Sequence, residues 1–215
     1  MTKAFIIRFH YEKDDPRFEW RYKYFINEVL PRIKAQTEQD FDICIRCNSW
    51  HKELFESLGL KTFHVENEVV SYKQGPRLKY FHDFVPFERT VGLDKYDVQM
   101  GLDSDDLIEP GYVETLMNAI RKQVKQTPDK TIHVCFQPKT VNIRDGKRIV
   151  KPMLKYTPTR GSAFMGLYQP DKGDNYKFVY CESHMTLWKH SDTSIVLPDG
   201  YCYATIHDIN ESTGR

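Results

Sequence analysis

Short apolar stretches alternate with amphipathic helical patterns along the first 130 residues of the chain. The apolar runs at residues 4–9 and 41–47 are typical of buried strands, and residues 96–102 alternate like a central strand. Residues 18–36 carry apolar side chains at helical spacing, in which Pro31 predicts a kink or a break. The pattern also predicts helices at residues 51–58, 77–89 and 110–126 and strands at residues 61–65 and 131–137.

The last third of the chain is richer in strand-like segments separated by Gly, Asp and Pro. These segments lie at residues 141–149, 163–168, 176–181, 194–197 and 201–206, with a hairpin turn at residues 144–147. Alternation of strands and helices favours an α/β fold with a mostly parallel central sheet, helices on both faces and a strand-rich C-terminal part. The absence of an internal repeat or a linker predicts a single domain over residues 1–215.

Composition narrows the classes of function. Apolar residues make up 40% of the chain, and 31 basic residues balance 30 acidic ones, which argues against a general nucleic-acid or membrane-surface binder. No apolar run approaches the ~18 residues of a transmembrane helix, and the charged start is unlike a signal peptide. Five cysteines, an odd number, favour a reducing compartment, and the expected location is the cytoplasm.

Two smaller features are expected to be structural. Cys44 and Cys47 form a C-x-x-C in a predicted strand, where their side chains point to opposite faces of the sheet. This placement favours buried core thiols over a redox or zinc pair. The basic run at residues 147–155 is interpreted as a solvated edge, because the overall charge is balanced.

An acidic cluster follows the predicted central strand directly. Asp103, Asp105 and Asp106 flank Ser104 at the point where ligands bind in open α/β sheets, beyond the carboxyl ends of the strands. Crowded carboxylates suit Mg²⁺ or Mn²⁺, which proteins often share with substrate phosphates. The alternative is a solvated turn that caps the next helix. An EF-hand is excluded because residues 107 and 108 are Leu and Ile, where a ligand and glycine are required.

Three stretches carry a resemblance to a known family: residues 30–37 (LPRIKAQT) with Asp40-Phe41, residues 102–106 (LDSDD) and residues 206–212 (IHDINES). The LDSDD stretch resembles the DxD motif of GT-A glycosyltransferases. The ordered trio resembles the bacterial and viral rhamnosyltransferase family over almost the whole chain. The short length is also similar to N-terminal glycosyltransferase domains of algal-virus capsid-glycosylating proteins. The chain could therefore be a piece of a longer protein, located in host cytoplasm if viral.

The resemblance implies roles on the donor side, with residues 1–130 as the nucleotide-sugar half. Asp105 would be the primary metal ligand, Asp103 would contact ribose or metal, and Ser104 belongs to the same donor site. His207 would complete the metal coordination; alone, it would be an ordinary surface or core histidine. Arg77 would reach the donor diphosphate, to which a guanidinium is suited; the alternative is an exposed arginine at a helix start.

Further candidate site residues are chosen by their expected positions in the fold. Arg8 and Asn48 fall at the expected ends of the first two strands, where GT-A folds hold the nucleobase. An inverting enzyme needs a general base near the acceptor hydroxyl; Glu182 is the first candidate and His184 the second. Residues 131–215 would form the acceptor half. Residues 160–162 (Arg-Gly-Ser) and Tyr201 could line the acceptor groove. Tyr168 and Trp188 could also pack on a sugar ring, but core packing is favoured for both.

The favoured function is a metal-dependent glycosyltransferase that takes a UDP-sugar, uses Mn²⁺ or Mg²⁺ and modifies a glycan or glycoprotein. A nucleotidyltransferase is the second class, disfavoured because no Gly-rich phosphate loop is present. A non-catalytic carbohydrate-binding module on the same fold is the third. The sequence leaves open the donor base, the sugar, the acceptor, the oligomeric state and whether the configuration of the sugar is retained or inverted.

Overall fold

The computed structural model of the chain describes residues 1–9, 11, 13–63, 92–144, 147–152, 164–172, 176, 179, 187–198 and 200–206. Its strands are β1 (Lys3–Phe9), β2 (Asp42–Cys47), β3 (Lys61–Phe63), β4 (Val98–Asp103), β5 (Leu107–Ile108), β6 (Ile132–Phe136), β7 (Lys139–Arg144), β8 (Lys147–Pro152), β9 (Met165–Tyr168), β10 (Thr193–Leu197) and β11 (Cys202–Ile206). Its α-helices are α1 (Pro16–Tyr24), α2 (Leu30–Lys34), α3 (Lys52–Glu56) and α4 (Tyr112–Val124). A π-helical turn spans Phe25–Val29, and 3-10 turns span Ser49–His51, Leu93–Lys95 and Leu187–His190.

In the described part of the chain, seven strands form the large sheet in the order β10-β6-β9-β4-β1-β2-β3. Within it, β3, β2, β1 and β4 are parallel neighbours, as are β6 and β10, whereas β9 runs antiparallel to β4 and β6. The predicted α/β fold with a mostly parallel sheet is confirmed. A second sheet in the order β5-β11-β7-β8 draws mainly on the strand-rich C-terminal part.

The helix predicted at residues 18–36 is observed as a continuous helical segment over residues 16–34, with a π turn in the middle. Asp15 caps its start, where its carboxylate accepts a hydrogen bond from the Arg17 N–H at 2.9 Å. Pro31 has no N–H, and its ring would crowd a carbonyl of the preceding turn in a regular α-helix. The wider turn at Phe25–Val29, closed by the Leu30 N–H on the Phe25 carbonyl, accommodates it. The proline therefore causes a local π turn and no break.

The other predicted elements are observed within a few residues of their expected ends, with three exceptions. The strand predicted at 61–65 is observed only as β3, because residues from 64 onward lie outside the described ranges. The helix predicted at 77–89 lies wholly outside them. Of the strand predicted at 176–181, only Tyr176 and Val179 are described, and neither is in a strand.

Side chains of β1 alternate between two hydrophobic clusters, one on each face of the large sheet. Phe5, Ile7 and Phe9 join the larger cluster, to which α2, α3 and α4 contribute buried side chains. Ala4 and Ile6 join the cluster on the other face. Both faces of β1 are therefore dry, which is typical of a central parallel strand.

The prediction that Cys44 and Cys47 are buried core thiols on opposite faces of the sheet is confirmed. Cys44 and Cys47 are both buried free thiols, and they belong to the clusters on opposite faces. Burial raises the pKa of the Cys44 thiol to about 11 and that of Cys47 to about 12. Thiols this difficult to ionise are unsuited to redox exchange or metal binding.

Close packing of α4 on β9 leads to a stability prediction. A Cβ added at Gly166 would lie 2.8 Å from a methyl carbon of the buried Leu116 side chain. We expect Gly166→Ala to lower the free energy of unfolding by about 1–3 kcal/mol in urea denaturation, the usual cost of overpacking a dense core. Gly101→Ala is the matched control, because its closest neighbour is the terminal methyl of the flexible Met165 side chain at 3.2 Å. Equal stability of the two variants would contradict the prediction.

Candidate active site

The carboxyl ends of β1, β2 and β4 meet at one edge of the large sheet. The parallel register places Arg8 beside Asp103 on one side and beside Arg46 on the other. In open α/β sheets this edge is where ligands bind. The structure therefore brings the acidic cluster and the predicted Arg8 to the same edge, as the sequence predicts.

Asp103 forms an ion pair with Arg8 across the two strands. The Arg8 Nη2 atom donates to Asp103 Oδ1 at 3.0 Å, and the two side chains are 28% and 33% exposed. A charge-assisted hydrogen bond of this kind orients both groups. Asp103 is the carboxylate of the cluster that solvent reaches.

Asp105 forms a second ion pair, and this one is buried. Its carboxylate contacts the Arg21 guanidinium from α1, and the side chains are only 6% (Arg21) and 9% (Asp105) exposed. Burial alone would lower the pKa of Arg21, but the charge of Asp105, assisted by Tyr11 and Asp103, outweighs it and the pKa is raised. Arg21 is therefore a permanent cation, and it was not among the residues predicted from the sequence.

Asp106 ties the acidic cluster to the second sheet. Its Oδ1 atom accepts a hydrogen bond from the Thr205 N–H of β11 at 2.9 Å. Burial, with the negative charges of Asp105 and Asp103, raises the pKa of the Asp106 carboxyl well above its ordinary value. The Asp106 side chain thus holds β11 against the cluster. Strand β11 leads directly to His207, which lies outside the described residues.

The first family-like stretch packs against the loop that follows the acids. Gln36 is buried, and its amide donates to the Glu109 carbonyl at 2.8 Å while accepting from the Val113 N–H at 3.0 Å. The Thr37 N–H donates to the Pro110 carbonyl at 2.9 Å. Gln36 and Thr37 therefore fix the start of α4, and with it the end of the loop that carries the aspartates.

An aromatic surface lies beside the β1 and β2 ends. Asn48 and Trp50 both donate to the Tyr11 carbonyl, at 2.9 and 3.1 Å, and Trp50 is 43% exposed. The buried His51 ring stacks on Phe18 behind them. Asn48 thus holds the Tyr11 backbone in place, and the indole of Trp50, also not predicted, offers a flat apolar face at this edge.

The structure separates the remaining candidates. Arg77, Glu182, His184 and His207, together with residues 160–162, lie outside the described ranges. Tyr168 is buried and pairs with Val98, at the opposite end of β4 from Asp103, so it belongs to the core. Tyr201 packs on Phe136 with ring centroids 5.7 Å apart and lies close to Gly111. Trp188 lies in the last 3-10 turn.

The donor set fits a divalent cation that shares its coordination with a substrate. Within the described residues, no group of three or more His, Cys, Asp or Glu side chains is placed to hold an ion. Mg²⁺ and related ions, however, are usually held by one or two carboxylates and by substrate phosphates. Asp103 and Asp105, two residues apart at a strand end, are oxygen donors of that type.

Comparisons with known proteins agree with this architecture. The sequence model of the family described as "Putative rhamnosyl transferase" matches residues 7–215. The fold is similar to the crystal structure of S. aureus TarS, with a TM-score of 0.53 and 16% identity over 96% of this chain and 37% of that one. The structure of S. aureus TarS 1-349 in complex with UDP gives a TM-score of 0.55 and 17% identity over 96% of this chain and 61% of that one.

The chain spans between 37% and 61% of the length of these TarS structures. No curated protein sequence matches it. The similarity to TarS confirms the expected GT-A-like fold. Among the helices of the described ranges, none is long and apolar enough to cross a lipid bilayer.

Proposed function

The chain belongs to this rhamnosyl transferase family and is a glycosyltransferase, and we propose that it transfers a hexose, with rhamnose as the first candidate, from a UDP-sugar to a glycan or glycoprotein. The observation that carries the proposal is the pair of arginine–aspartate contacts, Arg8 with Asp103 and Arg21 with Asp105, at the carboxyl edge of the parallel strands. This edge combines fixed positive charge with carboxylates. A nucleoside diphosphate and its counter-ion need both.

The choice of UDP rests on a separate argument. S. aureus TarS 1-349, which has a similar fold, has been crystallised with UDP. The exposed indole of Trp50 lies beside the β1 end, where a flat base could stack on it. Arg8 and Asn48 flank the same place. We assign this surface to the uracil and ribose of the donor.

Asp105 and Asp103 would hold a Mn²⁺ or Mg²⁺ ion, with Ser104 between them and His207 completing the set. When bound, such an ion neutralises negative charge on the leaving diphosphate. Arg8 presents its guanidinium, 28% exposed, to the same side and adds positive charge there. Arg77 is assigned to the diphosphate as well, on the family resemblance.

On the acceptor side, the proposal assigns the general base to one of two residues. Glu182 would take the proton from the acceptor hydroxyl in an inverting reaction, and His184 is the second candidate. A side chain that accepts this proton must lie within about 3 Å of the hydroxyl oxygen, or must be linked to it by one bridging water. Substitution of each residue separately, with transfer and donor hydrolysis measured in parallel, distinguishes a base from a residue that only binds the acceptor.

Thermal unfolding with a panel of UDP, GDP, dTDP and CMP, each with Mn²⁺ or EDTA, tests the proposed function. We expect UDP with Mn²⁺ to stabilise the protein and UDP with EDTA to do so far less. A ligand at a hundredfold excess over its Kd adds about 2.7 kcal/mol to the free energy of unfolding.

Other outcomes contradict parts of the proposal. Stabilisation by another nucleotide would change the donor base. Stabilisation by free sugars alone, without metal or nucleotide, would favour the non-catalytic carbohydrate-binding module. Release of pyrophosphate from a nucleoside triphosphate would favour a nucleotidyltransferase.

A further inference from the structure

Arg21 forms an ion pair with Asp105, the carboxylate that would ligate the metal ion. Its guanidinium reaches Asp105 from α1, and the pair is almost fully buried. The Arg21 Nε atom is also buried and has no hydrogen-bond partner among the described residues. A buried cation of this kind requires an anion at close range.

We infer that Arg21 is a built-in competitor of the divalent cation: it neutralises Asp105 in the metal-free protein, and it must give up that contact before Asp105 can ligate metal. The inference rests on the proposed function, because it concerns the same cation. The inference goes beyond the proposed function because it makes Arg21, a residue of α1, a determinant of the affinity for the metal ion.

Electrostatics gives the direction of the effect. Asp103 and Asp105 lie two positions apart, and their two negative charges would repel each other without cations. Arg8 offsets Asp103 at the partly exposed side, and Arg21 offsets Asp105 at the buried side. Two cations cannot share one short contact with the Asp105 carboxylate without repelling each other. Removal of Arg21 should therefore strengthen the attraction for an added divalent cation.

The alternative role for Arg21 is to orient Asp105 for the metal. The two roles predict opposite changes. A competitor weakens metal binding, so its removal raises the affinity. An orienting residue strengthens metal binding, so its removal lowers the affinity. The sign of the change in the Kd for Mn²⁺ separates them.

The test is a titration of the purified chain with Mn²⁺ alone, followed by calorimetry and by the electron paramagnetic resonance signal of free Mn²⁺. We expect Arg21→Met to bind Mn²⁺ about tenfold more tightly than the unmodified protein, the scale of one charge-assisted contact. In EDTA the variant should unfold at a lower temperature, and Mn²⁺ should restore more stability to it than to the unmodified protein. Arg21→Lys keeps the charge but lacks the guanidinium fork, and it should fall between the two.

Two controls complete the experiment. Lys23→Met removes a positive charge from the same helix at an exposed position paired with Glu19, and it should leave Mn²⁺ affinity unchanged. Adding Asp105→Asn to Arg21→Met should abolish the gain, since the gain acts through that carboxylate. If Arg21→Met and Arg21→Lys bind Mn²⁺ no more tightly than the unmodified protein, the inference is wrong and the proposed function is unaffected. If none of the variants binds Mn²⁺, even with UDP, the metal dependence in the proposed function fails as well.

Discussion

Asp105→Asn should weaken UDP binding in the presence of Mn²⁺ about a hundredfold, to the value that the unmodified protein shows in EDTA. Asparagine keeps the size of the side chain but removes the negative charge that attracts a divalent cation. A hundredfold change in Kd corresponds to about 2.7 kcal/mol, within the several kcal/mol that a bound ion contributes at a phosphate. Asp103→Asn should have an effect of the same sign. Calorimetric titration of each variant with UDP, in Mn²⁺ and in EDTA, measures it.

The matched control is Asp106→Asn, the same chemical change one residue along the chain. Burial, with the neighbouring carboxylates, raises the pKa of Asp106, so its carboxyl favours the neutral form that asparagine mimics. The amide oxygen can still accept the hydrogen bond from the Thr205 N–H. UDP affinity should therefore stay near that of the unmodified protein. If Asp105→Asn is folded and binds UDP as tightly as Asp106→Asn does, the acidic cluster is only a turn before α4.

The sequence pattern predicts most of the strands and helices, but it does not predict which strands lie next to each other in the sheets. Buried strands such as β1 and β4 are recognisable because their apolar runs are long enough to show a pattern. Nothing in the sequence of β9 says that it lies antiparallel between β4 and β6, because partner choice depends on packing between distant segments. The pattern does not reveal β5, because its two residues are too few to show a period.

The candidate site is predictable in part, and the arginine that the sequence analysis did not single out left a signal. Arg21 follows Phe18 by three positions and precedes Phe25 by four, so it lies on the apolar face of the predicted helix. A charge on that face needs a buried partner, and the acidic cluster is the one that the structure supplies. The contact of Asp106 with the Thr205 backbone left no such signal, because nearly every residue has an N–H.

The family-like stretch at residues 30–37 illustrates a different limit. The resemblance singles out Gln36 and Thr37, but only the structure shows what they do: they hold the Glu109 and Pro110 carbonyls at the start of α4. These contacts join segments 73 residues apart. Gln36 and Thr37 therefore fix the end of the loop that carries the aspartates. This role depends on tertiary contacts, which a local sequence pattern does not encode.

Acidification should destabilise the protein through His133, by about 3 kcal/mol between pH 7 and pH 4. This side chain is fully buried in β6, and burial lowers its pKa from 6.5 to about 4. Above pH 6.5 the ring is neutral in both the folded and the unfolded chain and has no effect on stability. Between pH 6.5 and 4 the unfolded chain binds a proton that the folded protein cannot, so stability is lost as pH falls. The size follows from 1.36 kcal/mol for each pH unit between the two pKa values.

Urea denaturation of His133→Gln at both pH values checks this prediction, because the variant has no imidazole to protonate. The loss of stability between pH 7 and pH 4 should be smaller in the variant by about 3 kcal/mol, even if the variant is less stable at both. Ser194→Ala is the control: it removes the hydroxyl 3.0 Å from His133 Nδ1 but keeps the titrating ring, so its acid sensitivity should persist. Carboxylates whose pKa is lowered in the fold, such as Glu38 and Asp97, also lose their contribution in acid, but their contribution is common to all three proteins and cancels in the differences. An acid loss in His133→Gln as large as in the unmodified protein would assign the sensitivity to those carboxylates.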